Sequence, residues 1–277
     1  MNLTVAELLA QANLAESDSP VLDAELLLCH VLGKQRSYLR SWPEARPAGE
    51  QVLAFKALVA RRRSGEPVAY LLGERGFWSL DLQVSPATLI PRPDTERLVE
   101  LGLELGPRGA AKVLDLGTGS GAIALALASE RPDWHLTGSD RIPDAVALAQ
   151  RNAELLKLSN TCFVQSNWYA GLHGQRFDLI LSNPPYIAEN DPHLAQGDVR
   201  FEPRSALVSG ADGLDDIRLL ITEAADYLQP GGWLLLEHGW QQAEAVVALL
   251  AAHGFADSQN WTDLAGNPRV SGGRWRG

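Results

Sequence analysis

From residue 112 onward, short apolar runs alternate with helical stretches, and nothing else in the chain constrains its fold as strongly. KVLDLG ends at Gly117 and HLTGSD at Asp140; TCFVQS, FDLILS and GGWLLLEHG follow as further strands. Between them lie IALALASE, PDAVALAQRNAELL, IRLLITEAADYL and QQAEAVVALLAAHG, which read as helices. Strands that are apolar throughout are buried on both faces, so this part of the chain predicts a parallel sheet covered by helices on either side. The tail beyond Phe255 is expected to add one or two closing strands. Ligands of such sheets bind at the carboxyl ends of the strands, near the point where strand order reverses.

The earlier part of the chain has a different character. Residues 1–73 read as helices: Thr4 is placed to cap VAELLAQANL, SPVLDAELLLCHVLG ends at Gly33, and GEQVLAFKALVARRRSG ends at Gly65. The run Arg61-Arg62-Arg63 at a helix end reads as a solvated face that complements the helix dipole. In GFWSLDLQVSPATLI, residues 76–90, aromatic and branched residues alternate with polar ones, which predicts a short hairpin. PRPDTE, residues 91–96, is a proline-stiffened turn with a helix start at Asp94 or Thr95. The expected organisation is a helical domain over 1–73, a hairpin linker over 74–90 and the sheet domain over 91–277. Residues 187–215 lack clear periodicity; an irregular stretch of that length is usually functional, and this one reads as a loop on the substrate side.

Charge narrows the partners. The chain carries 24 Lys+Arg and 34 Asp+Glu, a net charge of −10. Duplex DNA binding draws most of its affinity from phosphate neutralisation by a basic face, so direct DNA binding is not expected. Residues 1–73 hold eight basic and eight acidic residues, and all the excess acid lies beyond them. The two cysteines, Cys29 and Cys162, are far apart, and no Cys/His cluster has metal-ligand spacing, so neither a disulfide framework nor a metal site is expected. His30 and His238 read as structural. No apolar run reaches the length of a membrane span and the start of the chain lacks a basic leader, which fits a cytoplasmic protein.

Three motifs carry chemistry. Asp115-Leu116-Gly117-Thr118-Gly119-Ser120-Gly121 follows the first strand of the alternating region and opens a helix. Its glycines permit a tight turn and a close backbone approach to a ligand, whether a dinucleotide pyrophosphate or another nucleoside. Asp140 ends the next strand, where a carboxylate is placed to bind a ribose diol; helix capping is the plainer alternative. Asp115 beside the glycines would oppose a pyrophosphate and suit a cationic ligand end. The third motif is Asn183-Pro184-Pro185-Tyr186, after FDLILS. Two prolines remove two backbone donors, leaving the Asn183 side-chain oxygen and the Pro184 carbonyl as rigid acceptors. Two such acceptors match the two N–H donors of a planar NH2 group, and Tyr186 is expected to stack on the group that bears it.

LDLGTGSG, Asp140 and NPPY in this order resemble class I S-adenosylmethionine-dependent methyltransferases that act on an exocyclic or amide nitrogen. With PRPDTE, NPPYI, the stretch Glu202-Pro203-Arg204-Ser205-Ala206-Leu207 through Leu214, and a helical N-terminal domain, the whole chain resembles the release factor glutamine methyltransferase (PrmC/HemK) family. The resemblance implies a seven-stranded Rossmann-like α/β sheet beside a small N-terminal helical bundle that recognises the substrate. It implies a monomer that transfers the methyl group of S-adenosylmethionine to the glutamine amide nitrogen of the Gly-Gly-Gln motif in class I peptide chain release factors. The residues implied for the cofactor are Asp115, Gly117, Thr118, Gly119, Ser120, Gly121, Asp140, Asn167, Trp168 and Asn183. Asn167 stands where the family often has Asp, and can still accept from an adenine amino group. The substrate side is Asn183, Pro184, Pro185 and Tyr186, with Asn183, Pro184 and Tyr186 catalytic. Roles for Arg92, Thr95 and Glu96 are not readable from the sequence. The competing reading is an N-methyltransferase of an adenine or guanine amino group in DNA or RNA, which would have to present the base out of its stack.

Overall fold

The computed structural model describes residues 3–277; Met1 and Asn2, the first residues of the domain expected over 1–73, lie outside them. The chain divides into two units, one formed by the residues up to Glu74 together with Ala195–Phe201, the other by Arg75–Leu194 and Glu202–Gly277.

The smaller unit is built from α1 (Val5–Gln11), α2 (Pro20–Leu32), α3 (Arg36–Ser41), α4 (Gly49–Arg63) and α5 (Val68–Leu72). Local signals set their ends. Thr4 and Glu7 form a reciprocal capping box, Glu7 N–H donating to Thr4 Oγ1 at 3.2 Å and Thr4 N–H to Glu7 Oε2 at 2.8 Å. Gly33 stops α2 in the left-handed region at φ 62°. Val5, Leu8, Leu27, Leu28, Phe55 and Val59 close the core.

Of the arginine run expected to form a solvated face, Arg61 and Arg63 are exposed and Arg62 is not. Arg62 turns inward, its Nε 2.7 Å from Asp23 Oδ2 and its Nη1 2.9 Å from Asp198 Oδ1. Arg63 donates to the Ala12 carbonyl at 2.8 Å, and Arg61 pairs with Glu66. The guanidinium of Arg62 thus ties α2, α4 and the Ala195–Phe201 segment into one body. Removing one partner of a buried pair strands the other charge, so Arg62→Met is expected to lower stability by about 3 kcal/mol. Hydrogen exchange should show the loss concentrated in α2, α4 and 195–201; uniform protection across the chain would refute the brace.

In the larger unit, β1 (Glu74–Phe77) and β2 (Leu80–Gln83) form the hairpin, so residues 75–90 belong to this body rather than standing apart as a linker. A 3₁₀ turn at Pro93–Thr95 leads into α6 (Glu96–Leu105). Then follow β3 (Lys112–Leu116), α7 (Ala122–Glu130), β4 (His135–Asp140), α8 (Pro143–Leu156), β5 (Thr161–Gln165) and β6 (Phe177–Ser182). The chain continues with α9 (Asp215–Tyr227), β7 (Leu228–Glu237), α10 (Ala243–Ala252), β8 (Ala256–Thr262) and β9 (Pro268–Arg274). The seven strands are ordered β5-β4-β3-β6-β7-β9-β8, parallel except β9, which runs antiparallel to both neighbours.

Successive strand residues point to opposite faces, which makes two cores. Val113, Leu179, Leu181 and Leu235 pack with α6, α7 and α8. Leu114, Leu116, Ile180, Leu234 and Leu236 pack with α9 and α10. This two-sided burial is why the strands read as unbroken apolar runs. Strand order reverses between β3 and β6, and Leu116 pairs with Ser182 there. The residues that follow, Gly117 and Asn183, therefore leave the sheet side by side. The long segment after β6 is ordered by 3₁₀ turns at Pro192–Ala195, Asp198–Phe201 and Arg204–Ala206, and by a bridge between Ile187 and Val208. Cys29 is buried and Cys162, on β5, is exposed; both are free thiols.

Candidate active site

A cavity with about 910 Å³ of empty space opens at the carboxyl ends of β3, β4 and β6. That is the place the strand reversal predicts for a small-molecule site. Its floor is the loop from Gly117 to Ser120. Gly117 has φ 71°, Gly119 56° and Gly121 85°, all in the left-handed region that glycine enters without strain. A Cβ on Gly117 would lie 3.2 Å from the Trp168 ring, so the glycine also lets that ring close over the loop.

The loop is fixed from below by Asp115. Its Oδ2 accepts from the Thr118 hydroxyl at 2.6 Å and from Ala124 N–H at 3.2 Å. Burial pushes the Asp115 carboxyl up to about 7, and the two hydrogen bonds oppose that rise. Asp115 and Gly121 do not line the cavity; Asp115 is fully buried beneath it, with Oδ1 lacking a hydrogen-bond partner. The Thr118 hydroxyl is committed inward, and so is its backbone, the N–H donating to the Ser139 carbonyl at 2.9 Å and the carbonyl accepting from Gly121 N–H at 2.8 Å.

Asp140 lines the cavity, as expected from its place at the end of β4. Its Oδ2 accepts from Gly119 N–H at 3.0 Å and its Oδ1 from Ile142 N–H at 2.9 Å, so it orders both the loop and the start of α8. Each carboxylate oxygen has a second lone pair, and this half-buried group can still accept from hydroxyls in the cavity. Asn167 and Trp168 lie on the same wall, the Trp168 indole held by a 3.1 Å hydrogen bond to Asp216.

The NPPY residues divide. Asn183 and Pro185 line the cavity, whereas Pro184 and Tyr186 do not. The Tyr186 ring packs against the core formed with α9 and α10, and its hydroxyl donates to Glu237 Oε1 at 3.3 Å. Burial raises its pKa, so it stays a donor. The stacking surface expected of Tyr186 is therefore not part of this cavity; the ring anchors the loop instead. Asn183 donates from Nδ2 to Thr95 Oγ1 at 3.0 Å, which leaves Oδ1 to accept from elsewhere.

Sequence reasoning missed part of the wall. Ala87, Thr88, Pro91, Arg92 and Thr95 line the cavity from the hairpin side, and Ser205 and Ala206 from the segment after β6. Asn152 of α8 joins that hairpin to the loop, accepting from Gln83 N–H at 2.9 Å and donating to Gln83 and Ser120 carbonyls at 3.0 and 2.9 Å. Arg92 is paired with the buried Glu202. PRPDTE and the Glu202–Leu207 stretch were legible only as points of resemblance. Among the described residues no group of His, Cys, Asp and Glu is placed to hold a metal ion, and no helix is long and apolar enough to cross a membrane.

The residues fit an adenosyl ligand: the glycine turn lets a ligand approach closely and Asp140 lines the wall where a ribose diol would sit, while Asp115, expected to suit a cationic ligand end, lies buried beneath the loop. Parallel strands reversing at β3 and β6, with this loop and an Asn-Pro-Pro-Tyr corner beside it, define a class I methyltransferase. The model of the PrmC N-terminal domain matches residues 6–73 and that of the methyltransferase small domain residues 99–200. The chain belongs to the release factor glutamine methyltransferase family. The member from Pseudomonas aeruginosa is 56% identical over 272 residues, 98% of this chain and 99% of that protein. The Escherichia coli member is 53% identical over 266 residues, 96% of each chain. A solved methyltransferase from Pyrococcus furiosus shares the fold, with TM-score 0.55 and 22% identity over 79% of this chain and 97% of that one.

Proposed function

We propose that this chain transfers a methyl group from S-adenosylmethionine to the side-chain amide nitrogen of glutamine in the Gly-Gly-Gln motif of class I release factors. The observation that carries the reading is the β3–β6 register, which sets the Asn183 acceptor beside the glycine loop in one cavity. S-adenosylmethionine supplies a sulfonium-activated methyl group. Asp140 holds the ribose, Asn167 and Trp168 the adenine, and the loop from Gly117 to Ser120 lies against the remainder, with Asp115 keeping the loop in shape.

A glutamine amide nitrogen is a poor nucleophile because its lone pair is delocalised into the carbonyl. Asn183 Oδ1 and the Pro184 carbonyl accept its two N–H bonds and turn the lone pair toward the methyl carbon. Positioning for in-line attack is the larger effect, and the two acceptors also favour the positive charge that develops on nitrogen. Pro185 shapes the wall, and Tyr186 keeps the corner rigid through Glu237. The helical unit, with the Ala195–Phe201 segment that Arg62 holds in it, recognises the release factor; the protein acts as a monomer in the cytoplasm.

Methyl transfer from labelled S-adenosylmethionine to a panel of release factor, DNA and RNA tests the reading. Label is expected on release factor glutamine alone; label on a nucleobase would replace this reading with the nucleic-acid one. Asp140→Ala is expected to weaken S-adenosylhomocysteine binding by about 1.5–3 kcal/mol, the worth of hydrogen bonds to a charged group. Calorimetry that finds unchanged affinity would restrict Asp140 to ordering Gly119 and Ile142.

A further inference from the structure

The cofactor proposed for this cavity ends in an amino acid, and its α-carboxylate can only accept hydrogen bonds. Taken out of water, a carboxylate needs donors that replace the lost solvent. The glycine loop has few to offer. Gly117 and Thr118 N–H both donate to the Ser139 carbonyl at 2.9 Å, Gly119 N–H to Asp140 Oδ2 at 3.0 Å and Gly121 N–H to the Thr118 carbonyl at 2.8 Å. Neutral side chains on the wall are committed in the same way: the Thr118 hydroxyl to Asp115, the Ser166 hydroxyl to the Trp168 carbonyl, the Trp168 indole to Asp216 and the Asn183 NH2 to Thr95.

Two cations line the cavity, Arg92 and Arg141. Arg141 follows Asp140 at the end of β4, and its Nη2 donates to the Ser205 carbonyl at 3.1 Å. Arg92 opens the turn before α6: its carbonyl accepts from Thr95 N–H at 3.1 Å, and Thr95 meets Asn183 at 3.0 Å. Along the carboxyl edge of the sheet the order is Asn167 after β5, Asp140 on β4, Gly117 after β3 and Asn183 after β6. A ligand with its adenine at β5 and its ribose at β4 carries its amino-acid end toward β3 and β6, the side on which Arg92 lies. Pro91 and Pro93 stiffen the backbone on either side of Arg92. The buried Glu202 accepts an N–H from Arg92 Nη2, and 32% of the arginine side chain stays exposed. A guanidinium carries five N–H donors in one plane, so a second edge remains for another carboxylate.

We propose that Arg92 binds the α-carboxylate of S-adenosylmethionine, with Glu202 holding the guanidinium in place for it. This rests on the reading of Asp140 as the ribose site and of Asn167 and Trp168 as the adenine site. With the ribose fixed at Asp140 and the carboxylate at Arg92, the sulfur between them is held from both sides. Its methyl group then has one direction to face, and Asn183, joined to the same turn through Thr95, holds the acceptor nitrogen in that direction.

The test is calorimetry with S-adenosylmethionine and with decarboxylated S-adenosylmethionine, which keeps the sulfonium and the ammonium and lacks only the carboxylate. Wild-type protein should prefer S-adenosylmethionine by about 10–100-fold, the worth of hydrogen bonds to a charged group. Arg92→Met should lose most of that preference while binding the decarboxylated ligand as wild type does. Arg92→Lys, which keeps a cation for Glu202 but not the planar fork, should retain part of it. Arg141→Met should keep the full preference. Equal wild-type affinities for the two ligands would overturn the proposal without any variant. So would a full preference surviving in Arg92→Met, or a preference lost in Arg141→Met. A wild-type protein that binds neither ligand would defeat the cofactor reading and this inference with it, whereas binding without preference defeats this inference alone.

Discussion

Asn183→Ala should lower single-turnover methylation of a class I release factor by about 10²–10³-fold, the usual consequence of losing one preorganised polar group at a reacting centre. The residue lies just past the end of β6 and is half-buried, outside the apolar cores that α6 to α10 make with the sheet. Its removal leaves Ser182 in place, whose hydroxyl donates to the Leu116 carbonyl at 2.6 Å and joins the two strands at the reversal. Folding and S-adenosylhomocysteine binding should therefore survive while the amide acceptor is gone. Asn183→Asp keeps an acceptor but loses the donor to Thr95, so partial activity is expected. Near-normal turnover by a folded Asn183→Ala protein, at saturating cofactor, would mean that the substrate amide is held by other groups.

Gly121→Ala should destabilise the fold by about 2–5 kcal/mol. Two costs add. Gly121 sits at φ 85°, ψ 10°, where a side chain costs about 1–2 kcal/mol. A Cβ there would also meet Leu125 Cδ1 at 2.9 Å and Ala149 Cβ at 3.2 Å, and overpacking a core costs typically about 1–3 kcal/mol. Leu125 can adjust, but Ala149 is held on α8 and has no flexible end to move. Gly266→Ala is the control, since Gly266 has φ 84° but nothing within 4 Å of its Cβ. Urea unfolding should place Gly121→Ala well below Gly266→Ala; equal midpoints would show that crowding against α8 contributes nothing. The affected loop is the cavity floor, so cofactor affinity should fall with stability.

What the sequence determined by itself is everything carried by short-range signals. The span PDAVALAQRNAELL coincides with α8, because proline at its first turn and the spacing of Ala145, Leu148, Ala149 and Asn152 act within a few residues. Thr4 and Gly33 bound their helices for the same reason. The glycine loop, Asp140 and NPPY were legible because each follows a strand, and parallel topology sends every strand end to one side. The tertiary structure alone decided the rest. The antiparallel placement of β9 between β7 and β8 depends on pairings that no local pattern encodes. Arg62 read as a surface charge because its partner Asp198 is 136 positions away. Thr95, without a readable role in the sequence, lies 88 positions from the Asn183 it holds. Tyr186 turned from the cavity because Glu237, 51 positions on, is buried among apolar strands and takes its hydroxyl. A buried polar group must find a partner wherever the fold brings one, and that partner's place in the sequence is fixed by topology rather than by neighbours in the chain.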